Sequence, residues 1–254
     1  MRGLPRPLLP AIYFLLLLTV WQVAGQSLAA PGAVLIPPSM IIETMGTRWY
    51  ALLLNSGITL SEAGQGFLFG SVAAIVLAVM VDRFRIVGEG FYRLALVIYS
   101  IPVIAIAAPL IAILGMGPES KITVAALSAY FPVLVNLTGA LRTLDPRIDE
   151  LGRVLAMGYT RKLVSLRVPA VLPALFSSFK IAGPAAFIGA IIAEWMGAES
   201  GLGVMTIQAM FNFNVPLLWT VLVVATALNG FIVFIFGFLG KLAAPWHDSS
   251  KVAA

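Results

Sequence analysis

The chain has 254 residues, of which 60% are hydrophobic and only 11% are charged, against about 25% charged residues in ordinary soluble domains. Its net charge is +5, its mean hydropathy is +1.00, and it has no cysteine. This composition excludes a water-soluble globular domain, a disulfide framework and a cysteine-based metal site. Because the basic residues cluster at the ends of apolar runs, the positive charge indicates membrane topology rather than a nucleic-acid surface.

The first apolar run, residues 8–25, follows two arginines and is just long enough to cross a hydrocarbon core of ~30 Å as a helix. Trp21 fits an interfacial anchor near its end. A cleaved signal peptide is the alternative, with a cleavage site at Ser27-Leu28-Ala29. The following segment, residues 31–45, contains too many prolines to span and predicts a short interfacial helix.

The second predicted span, residues 63–81, is uncharged between an acidic residue at each end. It carries Gly66 and Gly70 on one face, a spacing that favours close packing against another helix.

The third predicted span, residues 94–114, is interrupted by Pro102 and Pro109. Breaks of this kind survive in a membrane where neighbouring helices or a cavity satisfy the freed backbone groups. The fourth predicted span is residues 122–141.

A long polar stretch, residues 145–173, follows the fourth span and holds, together with Arg142 just before it, six of the sixteen Lys and Arg residues. Asp145 is a helix N-cap, and Pro146 suits the first helical turn. Such a stretch has to lie outside the bilayer. It predicts two short amphipathic helices across one end of a membrane bundle.

The first of these helices places Leu151, Val154 and Leu155 on one face. Gly158 is expected to end it, and Thr160 is expected to cap the second helix. After them, two prolines at positions 169 and 173 are expected to stop or kink the chain.

The fifth predicted span, residues 172–197, is rich in alanine and glycine and carries Lys180 and Glu194. The sixth is residues 217–239. About six spans put both chain ends on one side, and thirteen of the sixteen basic residues then fall on cytoplasmic segments, as the positive-inside rule requires. The polar stretch is therefore predicted to be cytoplasmic.

The polar stretch resembles the EAA loop of the membrane subunits of bacterial ABC importers, whose pattern is Glu-Ala-Ala, three residues, Gly, nine residues, then Ile-x-Leu-Pro. Here Glu150-Leu151-Gly152 is followed, in register, by Ala156 at the Gly position and by Leu166-Arg167-Val168-Pro169. Both alanines and the glycine of the pattern are replaced, while the Glu and Pro ends and the spacing remain.

Three later segments, Phe179-Lys180-Ile181-Ala182, Ala193-Glu194-Trp195 and Ser200-Gly201-Leu202-Gly203, resemble the nitrate, sulfonate, taurine and thiamine-precursor branch of these permeases. The resemblance implies an all-α, polytopic membrane bundle of about six transmembrane helices with a cytoplasmic EAA-type coupling helix. It implies one permease domain over residues 1–254, with the coupling loop at residues 142–171 inside it.

The resemblance also implies partners: two ABC ATPase subunits, a second permease copy, an extracytoplasmic solute-binding protein and the bilayer of a bacterial inner membrane, with both termini cytoplasmic. The coupling residues that it implies, with the charged neighbours on the same helix, are Arg147, Asp149, Glu150, Leu151, Gly152, Arg153, Ala156, Gly158, Leu166 and Pro169. The alternative for this stretch is a solvated connector.

No catalytic constellation is present in the sequence. The single histidine, His247, lies in the polar tail, and the chain has no phosphate-binding loop of the G-x-x-x-x-G-K-[S/T] type. We therefore expect a non-catalytic subunit that binds no cofactor, with ATP and Mg²⁺ on a partner ATPase.

The solute path is predicted from polar and bulky side chains within the spans. A carboxylate inside a span is costly and is a functional candidate by default, although a structural hydrogen bond is the alternative for each polar residue. The candidates are Tyr99, Ser100, Asn136, Phe187, Glu194 and Met196. The branch implies a small anion or a thiamine-precursor pyrimidine as the solute. An ion-coupled secondary transporter or channel is the competing function.

Overall fold

The computed structural model describes residues 8–27 and 34–247, which form α-helices joined by short turns and thereby confirm the predicted all-α class. In chain order the helices are α1 (Leu8–Ser27), α2 (Pro38–Thr47), α3 (Trp49–Arg83), α4 (Arg85–Tyr99), α5 (Val103–Leu114), α6 (Pro118–Arg142), α7 (Pro146–Val154), α8 (Tyr159–Lys162), α9 (Val168–Trp195), α10 (Leu202–Phe211) and α11 (Val215–Ala243). A π turn, Leu163–Arg167, joins α8 to α9. The N-terminal arginines and two residues of the alternative cleavage site, Leu28 and Ala29, lie outside the described residues.

Four helical runs of the described chain are long and apolar enough to cross a membrane: α3, α6, the run Tyr159–Trp195 that contains α9, and α11. The pair α4 and α5 counts as a fifth if the two helices are one broken span. In α1, the stretch Ile12–Ser27 belongs to the shorter apolar helices. The membrane bundle is thus confirmed, with four or five spans by this criterion where the sequence predicted about six.

The centre of the bundle is formed by α3, α6 and α9. A Cβ atom added to Gly66 would lie 2.8 Å from the carbonyl oxygen of Ile122, and one added to Gly70 would lie 3.0 Å from the carbonyl carbon of Ala126. Both neighbours belong to the backbone of α6. The predicted small-residue face of α3 is therefore confirmed as the surface that packs on α6.

The small residues of α9 allow close packing against two neighbouring helices, α6 and α11. A Cβ atom on Gly189 would lie 3.0 Å from Cβ of Ser128 on α6, and one on Gly183 would lie 2.7 Å from Cγ2 of Ile232 on α11. Close approach on both sides places α9 between these two helices.

The second predicted span was too short, because α3 begins at Trp49 rather than at residue 63. The sequence boundary was set by the charge of Glu62. In the structure this side chain is buried against α9 rather than directed to a membrane surface. The charge therefore does not mark the start of the helix.

The third predicted span is two helices that meet at an angle of 97°. The break falls at Ser100–Pro102, where Pro102 occupies the N-cap of α5. Pro109, the other predicted interruption, lies inside α5 without ending it.

Three details of the polar loop differ from the prediction. The first helix, α7, ends at Val154, and Gly158 is the N-cap of α8 in place of Thr160. Pro169 does not stop the chain, since the backbone N–H of Val168 bonds to the carbonyl of Leu163, five residues back. This wide turn places Pro169 in the first turn of α9, where a missing N–H is tolerated.

The fifth predicted span therefore begins at Val168 rather than at residue 172, and Pro173 lies within it. We call the end of the bundle that carries α7 and α8 the loop end, and the opposite end the far end.

Candidate functional site

The loop end is held together by one arginine. Arg167, in the π turn, bonds with Nη1 to both carboxylate oxygens of Asp82 in the last turn of α3, each at 2.6 Å. Its Nε and Nη2 bond to the two oxygens of Asp149 on α7, at 3.1 and 2.7 Å. The Arg167 and Asp82 side chains are only 12% and 13% exposed. Such planar, charge-assisted contacts are the strongest that a guanidinium makes, so α7, α9 and α3 are joined at this point.

Two further side chains support this arginine. The Tyr159 hydroxyl donates to Asp82 at 3.0 Å, and the ammonium group of Lys162 lies 3.0 Å from Asp149. Hydrogen bonding from Arg167, followed by that from Lys162, lowers the pKa of Asp149 to about 2. Because the pKa is lowered in the folded protein, the ion pair contributes its full stability at pH values above 3.8, the ordinary pKa of an aspartate. This contribution is lost only as the pH falls towards about 2. The link therefore remains intact over the whole physiological range.

Close packing fixes α7 against the following segment. Gly152 is buried, and a Cβ atom at this position would lie 2.6 Å from Cδ of Lys162 and 3.6 Å from Cδ1 of Leu166. Two of the residues implied by the resemblance, Gly152 and Leu166, are thereby brought together. Pro169 is half-buried at the start of α9.

The turn after α7 contains a backbone conformation that favours glycine. Ala156 has a φ of 50°, in the left-handed region, which costs an L-residue other than glycine roughly 1–2 kcal/mol. This is the position at which the EAA pattern has its glycine. The backbone conformation at position 156 is therefore one that suits the glycine of the pattern, although this chain has alanine there.

Ala156→Gly is expected to raise the melting temperature in nanodiscs by about 2 °C, because relief of the strained φ outweighs the added freedom of the unfolded chain. Ala170→Gly, at an exposed position in the first turn of α9, is the control and is expected to lower the melting temperature slightly. A fall in both variants would contradict the strain argument.

The outer face of α7 is apolar and uncovered within the described chain. Val154 is 83% exposed, and Leu151 and Leu155 are each about half exposed. The charged candidates Arg147, Glu150 and Arg153 are exposed around them, as is Gly158 beyond the turn. An apolar stripe with a charged rim, on a helix fixed from behind, has the form of a protein-docking surface.

A polar cavity of about 450 Å³ lies behind this helix. Asp82, Asp149 and Arg167 line it together with Glu89 and Arg142, which form an ion pair between α4 and α6. The charged groups that join the helices at the loop end thus surround one water-accessible space.

The six predicted path residues do not form one site. Tyr99 packs on Phe131, with ring centroids 4.7 Å apart, and lines a mainly apolar cavity of about 290 Å³ between α4, α5, α6 and α9. Ser100 and Asn136 are exposed and donate to backbone carbonyls of their own chain segments, at 3.1 and 2.7 Å. Their place in a solute path stays a prediction.

The other three path candidates lie elsewhere. Phe187 is buried in the core, and Met196 is partly exposed at the end of α9. Glu194 is buried at the far end, where both of its carboxylate oxygens accept hydrogen bonds, from Thr59 and from the backbone of Gly203. These bonds stabilise the buried carboxylate. Its contact with a solute stays a prediction.

Sequence reasoning missed the partners of Glu194 on α3. Asn55, Thr59 and Glu62 follow one another at intervals of four and three residues, the spacing of one helix face. That polar stripe was the available signal, and it was overlooked because the helix was predicted to begin after it.

Comparison with known proteins gives similarities of sequence and fold. A family profile described as "Binding-protein-dependent transport system inner membrane component" matches residues 66–250. The chain is 28% identical over 245 residues to the formylaminopyrimidine transport permease protein ThiX of Halalkalibacterium halodurans, covering 94% of this chain and 95% of that protein. It is 29% identical over 216 residues to the putative aliphatic sulfonates transport permease protein SsuC of Bacillus subtilis, covering 82% and 74%.

Among solved structures, a chain of the MetNI methionine ABC transporter in an inward-facing conformation matches with a TM-score of 0.69 and 20% identity. The match covers 78% of this chain and 98% of the other. At this identity the likeness concerns the fold alone.

Proposed function

This chain belongs to the family of binding-protein-dependent transport system inner membrane components, the permeases of ABC importers, and we propose that a separate ATPase drives it through α7. The observation that carries the proposal is the uncovered apolar face of α7, fixed from behind by Arg167. ATP and Mg²⁺ bind to the ATPase partner, which performs the hydrolysis.

The coupling route runs through the ion pairs at the loop end. Two ATPase subunits that close around ATP displace α7, and Asp149 transmits the displacement to Arg167. Arg167 lies at the base of α9 and is bonded to Asp82 of α3, so two central helices move with α7. The result is a rigid-body motion of the bundle between outward-open and inward-open states.

We further propose that the chain works as a pair, most simply with a second copy of itself, so that each copy provides half of the solute path. An extracytoplasmic binding protein delivers the solute at the far end. The loop end and both termini face the cytoplasm, which agrees with the distribution of the basic residues.

The proposed solute is a small anion, such as nitrate, bicarbonate, taurine or another sulfonate, or a small organic molecule such as a thiamine-precursor pyrimidine. The relatives named for formylaminopyrimidine and for aliphatic sulfonates support this range. A thermal-shift screen of the partner binding protein, with these compounds as probes, would select among them.

Val154→Asp tests the docking proposal. Because the Val154 side chain is 83% exposed, the change is expected to leave the melting temperature within about 2 °C of wild type. A buried charge at the centre of the docking surface is nevertheless expected to weaken ATPase binding by at least about tenfold. The measurement is co-purification with the proposed ATPase partner from nanodiscs, together with solute uptake in cells.

Ile86→Asp provides the matched control, since Ile86 on α4 is 91% exposed and lies outside α7. It is expected to retain the ATPase. If the Val154 variant also retained the ATPase and transported normally, α7 would not be the docking helix. If wild type transported solute without any ATPase, the ion-coupled alternative would replace the proposal.

A further inference from the structure

Three ionisable side chains are buried together at the far end, and the coupling mechanism uses none of them. Glu62 on α3 is 7% exposed, while Glu194 on α9 and Lys121 on α6 are each 1% exposed. Each comes from a different central helix. Buried charges in a membrane protein are costly and are retained when they pair or bind something.

Glu194 has the hydrogen-bond partners of an ionised carboxylate. The Thr59 hydroxyl donates to its Oε1 at 2.6 Å, and the backbone N–H of Gly203 donates to its Oε2 at 2.5 Å. Nearby, the N–H of Leu202 donates to the Thr59 oxygen at 2.9 Å, and that of Gly201 donates to Asn55 at 2.6 Å. The free N–H groups at the start of α10 are thus satisfied by α3 and α9, an arrangement that favours negative charge on Glu194.

Glycines make this arrangement possible. Gly201 has a φ of 124°, and a Cβ atom there would lie 2.6 Å from Oε2 of Glu194. A Cβ atom on Gly203 would lie 2.8 Å from the same oxygen. The start of α10 is therefore pressed onto the carboxylate.

Lys121 supplies a positive charge but no hydrogen bond to either carboxyl group. Its ammonium group donates to the backbone carbonyls of Met116, Gly117 and Gly197, the last two at 3.1 and 2.8 Å. All three of its N–H bonds are thereby used. Two other acidic residues near it, Glu119 and Glu199, are exposed to solvent.

Glu62 follows Thr59 by one turn on the same face of α3, and because Thr59 bonds to Glu194, the Glu62 carboxyl group is a neighbour of the Glu194 carboxylate. Its Oε2 atom is buried and has no hydrogen-bond partner among the described residues. Two ionised carboxylates offer only acceptors, so their contact is repulsive unless a proton lies between them. With one proton, the cluster of two carboxyl groups and one ammonium group is electrically neutral.

We propose that Glu62 and Glu194 form a binding site for a single proton, in which Glu62 is the carboxylic acid and donates its O–H to the Glu194 carboxylate. No bond other than O–H is made or broken: the proton comes from water and returns to water. The described residues contain no group of three or more His, Cys, Asp or Glu side chains suited to a metal, and two carboxyl groups are too few for the oxygen shell of a hard cation.

The bound proton joins α3 to α9 and to the start of α10. Its loss would leave two negative charges in contact and would favour separation of these helices at the far end, the end at which the binding protein is proposed to dock. The site is thus placed to make the packing of the far end depend on protonation. This inference concerns the permease chain alone and stands whether or not α7 binds an ATPase.

Glu62→Gln is the decisive variant, because the carboxamide keeps an N–H donor towards Glu194 without a titratable proton. It is expected to melt within about 2 °C of wild type in nanodiscs. Glu194→Gln removes the charge that accepts the bonds from Thr59 and Gly203 and is expected to melt at least about 5 °C lower.

Infrared spectroscopy of the purified permease locates the proton. Wild type at neutral pH is expected to show the carbonyl band of a buried carboxylic acid, and Glu62→Gln is expected to lose it. The control Glu43→Gln, at an exposed position on α2, is expected to keep it. A band that persists in Glu62→Gln, or a Glu62→Gln variant that is as unstable as Glu194→Gln or fails to fold, would overturn the proposal.

Discussion

Replacing Arg167 by leucine is expected to abolish ATP-driven uptake and to lower the free energy of unfolding by roughly 3 kcal/mol. The substitution leaves Asp82, whose side chain is 13% exposed, without its guanidinium partner and separates Asp149 from α9. A buried carboxylate that loses its cation is far more costly than a surface ion pair. In a chain of this size the loss corresponds to a fall in melting temperature of about 6–12 °C.

The comparison variant is Arg161→Leu, which removes an exposed arginine from α8 in the same loop and is expected to melt like wild type. Melting in nanodiscs and uptake in cells are the two measurements. If the two leucine variants melted alike, the contacts of Arg167 would be no stronger than those of a surface ion pair.

Removing the Asp82 charge together with Arg167 separates the cost of an unpaired carboxylate from the cost of losing the connection between α7 and α3. The double variant Arg167→Leu, Asp82→Asn is expected to melt at a higher temperature than Arg167→Leu alone, because no ionised carboxylate then remains without a cation. Uptake is expected to stay absent, since the link from α7 to α3 is still missing.

The Arg167 variant also differs from Val154→Asp in a way that tests the coupling route. The outer face of α7 is unchanged in Arg167→Leu, so the ATPase is expected to remain bound while transport fails. Val154→Asp is expected to shed the ATPase without loss of stability. Full uptake by a folded Arg167→Leu permease would show that the coupling force passes by another route.

The sequence was sufficient to predict α7 and its apolar face, because capping and amphipathic spacing are local properties. Asp145 accepts the predicted cap hydrogen bond from the backbone of Arg147, at 2.9 Å. The partner of Arg167 could not be predicted in this way. Asp82 lies 85 residues earlier in the chain, and a single sequence carries no signal for such a distant pair.

The far end was misread for a different reason. A charge was used as the boundary of a span, and this rule fails when the charged group is buried in a polar cluster, as Glu62 is. Asn55 and Thr59 were then left outside the helix although they lie on the same face of it. Lys121 is likewise buried at this end and bonded to backbone carbonyls.

Helix α3 connects the two polar clusters. Glu62 and Asp82 lie twenty residues apart on it, which corresponds to about 30 Å along an α-helix. A displacement received at Asp82 from α7 therefore reaches the carboxyl pair at the far end only if α3 moves as one rigid rod. Its rigidity depends on close contact with α6, which the glycine face provides.

Gly70→Val is accordingly expected to have the largest effect of any single change in α3. A Cβ atom at this position would lie 3.0 and 3.1 Å from the carbonyl carbon and Cα of Ala126, and a backbone of α6 cannot move aside as a flexible side chain can. Overpacking at such a contact is expected to cost about 3 kcal/mol or more. The expected result is a large loss of folded permease from the membrane, measured by fluorescence-detected size exclusion.

Gly64→Val on the same helix is the control, because a Cβ atom added to Gly64 meets nothing within 4 Å. Valine has the same low helix propensity at both positions, so only the contact with α6 distinguishes the two variants. Gly64→Val is expected to yield nearly as much folded protein as wild type. Equal yields from both variants would mean that α3 and α6 are not in close contact at Gly70, and the rigid connection between the two ends of the bundle would then have to be sought in α9.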